Sequence, residues 1–385
     1  MLNPLLAACA VVFCTQLGTF MRIPVIPLFA EQLGASIADI GFISSSFTLI
    51  ACFLAIPLGL SSDRFGRKRL IVSGALISSA VSFLLFLTST PAEIMLVYSI
   101  AGIGIASFTP SIIAFIGDIT RTGYLGRSYG LFTTFMQIGI AAGPALGGFI
   151  ASGVGYRNSF LFSGSVILFA AIVGEILLPS PEVRFTAMKK DLNRDFAELR
   201  SNLSIVAGWL GIFCLFFANS VIAFLPIYAN KIGISILAIG LILASQAAGN
   251  GIARLPFGWL SDKTGRRVPF ILLGLTTTSL SAALLASYAD PYIILVLSFS
   301  LGLGVGTTAM ATSAMLGELV STGNRGFAMG VYSTCFYGGM AAGPAIIGLI
   351  IARSDFPTGF QSAALAGLSG AVGVYILSAQ AQRKN

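Results

Sequence analysis

Apolar runs of 18 residues or more alternate along this chain with short polar breaks. A helix of that length crosses the roughly 30 Å of bilayer hydrocarbon. The pattern predicts spans near 4–29, 38–60, 70–89, 92–117, 127–151 and 158–178, then near 203–229, 237–260, 269–288, 291–318, 326–351 and 359–379. Internal repeats and 44 glycines favour packed helices over a closed barrel. The expected fold is an all-α integral membrane protein with twelve transmembrane helices. Two six-helix halves, 1–178 and 203–385, flank a linker at 179–202. An even number of spans places both ends of the chain on one side.

Composition narrows the function. With 56% hydrophobic and 9% charged residues, and a mean hydropathy of +0.92, this is no soluble globular domain. The formal charge of +8 is divided among loops flanking the membrane, so it implies contact with a bilayer and no nucleic-acid partner. All five cysteines (Cys9, Cys14, Cys52, Cys214, Cys335) lie in apolar runs and read as small hydrophobes. The chain has no histidine, which excludes an imidazole proton shuttle or a histidine metal site. Neither a nucleophile–base pairing nor a metal-ligand cluster stands out, so no enzyme activity and no cofactor are expected. Leu6–Cys9 resembles a lipoprotein cleavage box, but the run before it is short and lacks Lys or Arg. A first transmembrane helix is expected there.

The polar breaks repeat. Pro57–Arg69 reads PLGLSSDRFGRKR and Pro256–Arg267 reads PFGWLSDKTGRR. Pro57, Gly59, Asp63, Gly66 and Arg67 map onto Pro256, Gly258, Asp262, Gly265 and Arg266 at a constant offset of 199. The same offset relates Pro27, Gly34 and Ser36 to Pro226, Gly233 and Ser235. The chain is therefore a tandem duplication. Gly59 and Gly258 would let helices approach closely. Asp63 and Asp262 would cap the next helix or pair with an arginine. Gly66 and Gly265 permit a tight reversal. Arg64, Arg67 and their neighbours hold the loop in water. A purely topogenic basic loop would explain the charges but not the repeated spacing.

This spacing resembles the signature loop of the major facilitator superfamily, between the second and third helices of each half. Ser61 stands where the family usually has Leu, and the second copy has Leu260. The resemblance covers the whole chain. It implies two pseudo-symmetric halves around a central cavity, rocking to expose it to each side in turn. It also implies a small-molecule substrate, protons as a coupling ion and a monomer.

The first span ends LGTFMRIPVIP, where Pro24 and Pro27 each remove a backbone donor and should kink the helix. The stretch is similar to the L-G-x5-P-V-x-P of efflux members of the family. The fifth span carries Gly130, Gly139, Gly143, Pro144, Gly147 and Gly148 at the spacing of the family's antiporter motif, and Gly330, Gly339, Gly343, Pro344 and Gly348 echo it in the eleventh. These glycines would form a smooth groove or simply pack helices closely. In the fourth span Tyr98 replaces the arginine of drug–proton antiporters. Seventeen Lys and Arg on one set of loops against three on the other predict cytoplasmic ends, in a cytoplasmic membrane. In the linker, Phe185, Met188, Leu192, Phe196 and Leu199 recur at helical spacing, as in an amphipathic surface helix or a solvated tether.

The implied cavity is lined by the first, fourth, seventh and tenth spans. Their candidates for binding substrate are Gln16, Arg22, Tyr98, Thr109, Asn219, Tyr228, Thr308 and Thr312. Gln137, Gln246, Asn250, Tyr332 and Tyr337 are candidates from the fifth, eighth and eleventh. Asp118 and Glu318 end the fourth and tenth spans, within reach of Arg67, Arg127, Arg266 and Arg325, as a conformational latch. No acid lies deep in the cavity-lining spans, so proton coupling would use Glu31, Asp39, Asp118, Glu175 or Glu318. Arg22 would snorkel to Glu31 or Asp39, donate to carbonyls freed by the prolines, or face the substrate. Arg254 would snorkel or join Asp262. Proton-coupled efflux of a mostly apolar compound is the leading expectation. Transport of an organic anion or other nutrient is the alternative.

Overall fold

A computed structural model describes residues 4–120, 125–179, 202–320 and 325–384. Within its helices, the side chains at 55–56, 59–65, 125–127, 325–327 and 382–384 are outside the described set, as are nearly all of the linker and its expected amphipathic helix. Every regular element among the described residues is helical. In order these are α1 (Pro4–Met21), α2 (Val25–Gln32), α3 (Ile37–Phe65), α4 (Arg67–Leu87), α5 (Pro91–Ile119), α6 (Leu125–Val154) and α7 (Tyr156–Leu177). There follow α8 (Leu203–Ala218), a 3-10 turn (Asn219–Ala223), α9 (Leu225–Lys231), α10 (Ile236–Thr264), α11 (Val268–Leu285), α12 (Pro291–Leu319), α13 (Arg325–Arg353) and α14 (Phe356–Lys384). Twelve stretches are long and apolar enough to span a membrane, with α1–α2 forming the first and α8–α9 the seventh.

Local chemistry sets the helix ends. Ser36 and Asp39 form a reciprocal capping box at the start of α3. Thr90 accepts from the Glu93 amide at 3.3 Å, with Pro91 in the first turn of α5. Asp290 caps α12 through the Tyr292 and Ile293 amides at 2.8 and 3.2 Å. Gly34, Gly66, Gly155, Gly233 and Gly265 take positive φ at the reversals, where other residues would be strained.

The first span is broken where the prolines predict. Residues 22–24 leave the helix, with the Val25 and Ile26 amides bonded to the Arg22 carbonyl. The seventh span breaks at the matching place, through the 3-10 turn at 219–223. Its Val221, at the offset of Arg22, is fully buried.

The described residues pack into two units, one within Met1–Phe185 and Ala223–Ala247, the other within Thr186–Ile222 and Ala248–Asn385. The first is built on Val11, Ile71, Phe108, Ile112, Phe115 and Ile167. The second has a smaller cluster on Ile205, Trp209, Leu316 and Val320, with Trp209 donating to the Ala328 carbonyl at 3.3 Å. Lipid removes the hydrophobic incentive for helix pairing, so close approach of small residues takes over. A Cβ on Gly139 would lie 2.7 Å from the Phe13 carbonyl oxygen, and one on Gly143 2.6 Å from Phe20 Cβ. Gly147 sits on the Met21 carbonyl in the same way. The fifth-span glycines therefore seat α6 on α1. Gly258 behaves otherwise than expected. A Cβ there would meet Met310 Sδ at an ordinary 3.7 Å, so it mediates no close approach. In that span close approaches occur more than two turns earlier, by Gly249 on the Phe299 carbonyl and by the Asn250 carbonyl on Gly306.

Candidate functional site

Each unit holds a charged rim and one arginine inside its spans. In the first unit Gly66 alone, at φ +95°, separates α3 from α4. Arg67 therefore opens α4 and its Nε reaches Asp118 Oδ2 at 3.1 Å. Lys68 pairs with Glu175 at 3.3 Å. The surroundings of Gly59 and the side chains of Asp63, Arg64, Arg127 and Arg325 are outside the described set.

The second rim has the same plan with a longer turn. Gly265, Arg266 and Arg267 separate α10 from α11. The residue that meets Glu318 is Arg267, at 3.2 Å from Nε to Oε1, whereas Arg266 is exposed. This corrects the expected Arg266. The two additional turn residues carry the arginine at offset 200, not 199, to the place Arg67 fills. Arg267 also binds Asp262 Oδ1 at 2.6 Å and donates to Ser261 Oγ at 2.7 Å. The hydrogen bond to Glu318, opposed by partial burial and reinforced by Asp262, holds its guanidinium above the ordinary arginine pKa.

Inside the first unit, Arg22 sits in the break of the first span and is 1% exposed. Its Nη1 makes a long 3.4 Å contact to the Ser78 carbonyl in α4, and its Nε has no hydrogen-bond partner among the described residues. The Tyr98 phenol in α5 is its electrostatic neighbour, and Tyr98 stacks on Phe47 of α3 at 5.0 Å. Arg22 therefore does not snorkel to the two acids proposed for it. Glu31 pairs with Lys231 at 3.9 Å, and Asp39 serves the capping box. A cation near a span centre costs about 2.5–3.5 kcal/mol on insertion scales, so its weak pairing is notable.

Inside the second unit, Arg254 is half-buried in α10. Its Nε and Nη2 both donate to Asn250 Oδ1 at 3.3 Å, and the Tyr332 phenol of α13 is its electrostatic neighbour. Ser313 of α12 lies beside that phenol and donates its own hydroxyl to the Ala309 carbonyl at 2.8 Å. The expected link from Arg254 to Asp262 is absent, because Asn250 lies one turn away and Asp262 two turns away on the other side, bound to Arg267.

The remaining candidates divide. Gln16 is buried with its Cβ beside Gly139, and Gln137 has a buried Nε2 without a partner among the described residues. Thr308 is fully buried in the seam with α11 and donates to the Ile271 carbonyl at 3.4 Å, so it holds helices together. Thr312 is equally buried. Thr109, Asn219, Tyr228 and Gln246 are half-buried, and Tyr337 packs edge-on to Phe336 at 4.9 Å. Gly130 and Gly330 touch nothing closely, unlike Gly139, Gly143, Gly147, Gly148, Gly339 and Gly343. Sequence reasoning missed Ser78, Ser313 and Arg267. The polar Ser78–Ser79 pair in an apolar run was the available sign for the first. Among the described residues no group of three or more His, Cys, Asp or Glu side chains comes together.

Duplicated rims, a proline-broken first span and twelve spans coincide with one family pattern, which matches residues 8–238 and again 208–385: the Major Facilitator Superfamily. The chain belongs to this family. It is a multi-pass membrane transporter and not an enzyme. This facilitator is 26% identical over 343 residues to an uncharacterised MFS-type transporter of Methanocaldococcus jannaschii, covering 88% of each chain. It is 24% identical over 348 residues to the quinolone resistance protein NorA of Staphylococcus aureus, covering 88% of this chain and 87% of NorA. Its fold is that of the nucleoside transporter NupG, with a TM-score of 0.80 at 16% identity over 98% of this chain and 99% of that one.

Proposed function

We propose that this facilitator exports a largely apolar small molecule in exchange for protons, as a monomer in the cytoplasmic membrane with both ends in the cytoplasm. The observation that carries the reading is the end-to-end likeness to NorA, whose name records quinolone resistance. The broken first span seated on the Gly139–Gly143–Gly147 stripe supports it. So does the excess of basic residues on one set of loops. Proton exchange would act at the rim and loop carboxylates, since the described spans hold no deep acid. The test uses proteoliposomes with an acidic lumen and a fluorescent quinolone outside. Accumulation that collapses with nigericin is expected. Accumulation indifferent to the gradient overturns the coupling, and none at all overturns the substrate class.

Arg22 favours a second reading, transport of an organic anion. A buried guanidinium whose Nε lacks a partner among the described residues suits a cargo that brings its own acceptor.

A further inference from the structure

Arg254 is a second cation inside the spans, and its surroundings differ from those of a structural arginine. Asn250 takes the Nε and Nη2 edge of the guanidinium at 3.3 Å each. The amide oxygen is neutral, so it orients the fork without cancelling its charge. Nη1 makes no hydrogen bond to any described residue, and the side chain is only half-buried. The Tyr332 phenol of α13 is its electrostatic neighbour, with Ser313 beside it. The carboxylate nearest along its own helix, Asp262, is bound to Arg267 at 2.6 Å, and Glu318 meets the same arginine. All these groups lie in one unit, on α10, α12, α13 and the turn that follows α10.

We infer that Arg254, Asn250 and Tyr332 form a binding site for a carboxylate carried on an otherwise apolar compound. The Nη1–Nη2 end of the fork supplies two parallel donors, which suits the two oxygens of a carboxylate. The Tyr332 hydroxyl supplies a third contact. Asn250 is a positioning residue that holds the fork edge-on. The inference rests on the reading of this chain as a small-molecule transporter and names the chemistry of its cargo.

The test compares two probes of one shape, 1-naphthoate and 1-naphthamide, bound to the purified full chain by equilibrium dialysis. Wild type is expected to bind the naphthoate about tenfold more tightly, as charge-assisted bonds to a fork allow. Arg254→Gln should bring the two affinities together, and Arg254→Lys should restore part of the difference. Tyr332→Phe keeps the ring and loses only the hydroxyl. It should weaken naphthoate binding about threefold, and it reads the site even if Arg254→Gln gives no folded protein. Equal binding of both probes by wild type overturns the inference. So does a preference that survives in Arg254→Gln but disappears in Arg22→Gln. Counterflow of both probes in proteoliposomes tests the transport reading separately. An Arg254-dependent preference without counterflow supports the site and removes the transport reading, whereas counterflow without a preference does the reverse.

Discussion

The two rims solve one problem with turns of different length. In the first, Gly66 alone reverses the chain and the next residue, Arg67, meets Asp118. In the second, Gly265 is followed by Arg266 and Arg267, and the second of these meets Glu318. Sequence register is kept at 199 up to the glycine and becomes 200 beyond it, so Arg67 corresponds in space to Arg267. What the duplication has retained is a guanidinium opposite the carboxylate at the end of the fourth and tenth spans. Similar divergence marks other pairs. In the repeat, Gly147 corresponds to Ile347, Arg22 to Val221, and the glycine turn at Gly155 to a side-chain cap at Asp355.

Exchanging the members of these pairs shows which differences matter. The largest effect is expected for Gly147→Ile, which copies Ile347 into a place where the Met21 carbonyl leaves no room for a Cβ. Overpacking against backbone cannot relax by a rotamer change. Size-exclusion chromatography should show little folded protein, and a normal yield would mean that α6 can shift on α1.

Arg22→Met, which makes the first break as apolar as the second, should cost about tenfold in affinity for an anionic quinolone analogue and little for a neutral one. Its thermal midpoint should stay level or rise, since an ill-paired buried charge is removed. A large fall in that midpoint would make Arg22 a structural residue.

The turn register is tested by three parallel variants. Arg267→Gln and Arg67→Gln should each slow transport about tenfold, while Arg266→Gln stays within about twofold of wild type. The reverse order would restore the 199 register. Because the Arg267 pKa is raised above the ordinary arginine value, its contribution is fully present below the unfolded value and is lost only as pH rises through the folded one. The stability difference between wild type and Arg267→Gln should therefore carry no slope from arginine titration between about pH 6 and 9.

The smallest effect belongs to the exposed cap. Asp355 is held below its ordinary pKa by its hydrogen bonds with Thr358, to the side chain first and to the amide at 2.8 Å. A depressed carboxylate contributes above its unfolded value of 3.8 and loses that contribution as pH falls through the folded value. The slight destabilisation of Asp355→Asn at neutral pH should shrink as pH falls below 3.8 and vanish once the folded carboxyl is protonated as well. A difference that persisted there would arise from something other than the charge.

The periodic, covalent and local features were legible in the sequence. The span pattern, the break at Pro24 and Pro27, and the turns at Gly66 and Gly265 all follow from helix length, missing donors or positive φ. The partner of Arg254 was misread as Asp262, although Asn250 stands one helical turn before it and Asp262 two turns beyond. The remainder depended on packing. Nothing in the chain's order announces that Arg22 meets Ser78 and Tyr98 from two other helices, or that Thr308 is spent on a helix seam. The register shift at Arg267 was hidden because Arg266 and Arg267 are adjacent and chemically identical.

Arg267 is shared between Asp262 and Glu318, and this makes the second rim redundant. Neutralising either carboxylate as its amide leaves the guanidinium one charged partner, so Asp262→Asn and Glu318→Gln should each cost little, and the double variant more than their sum.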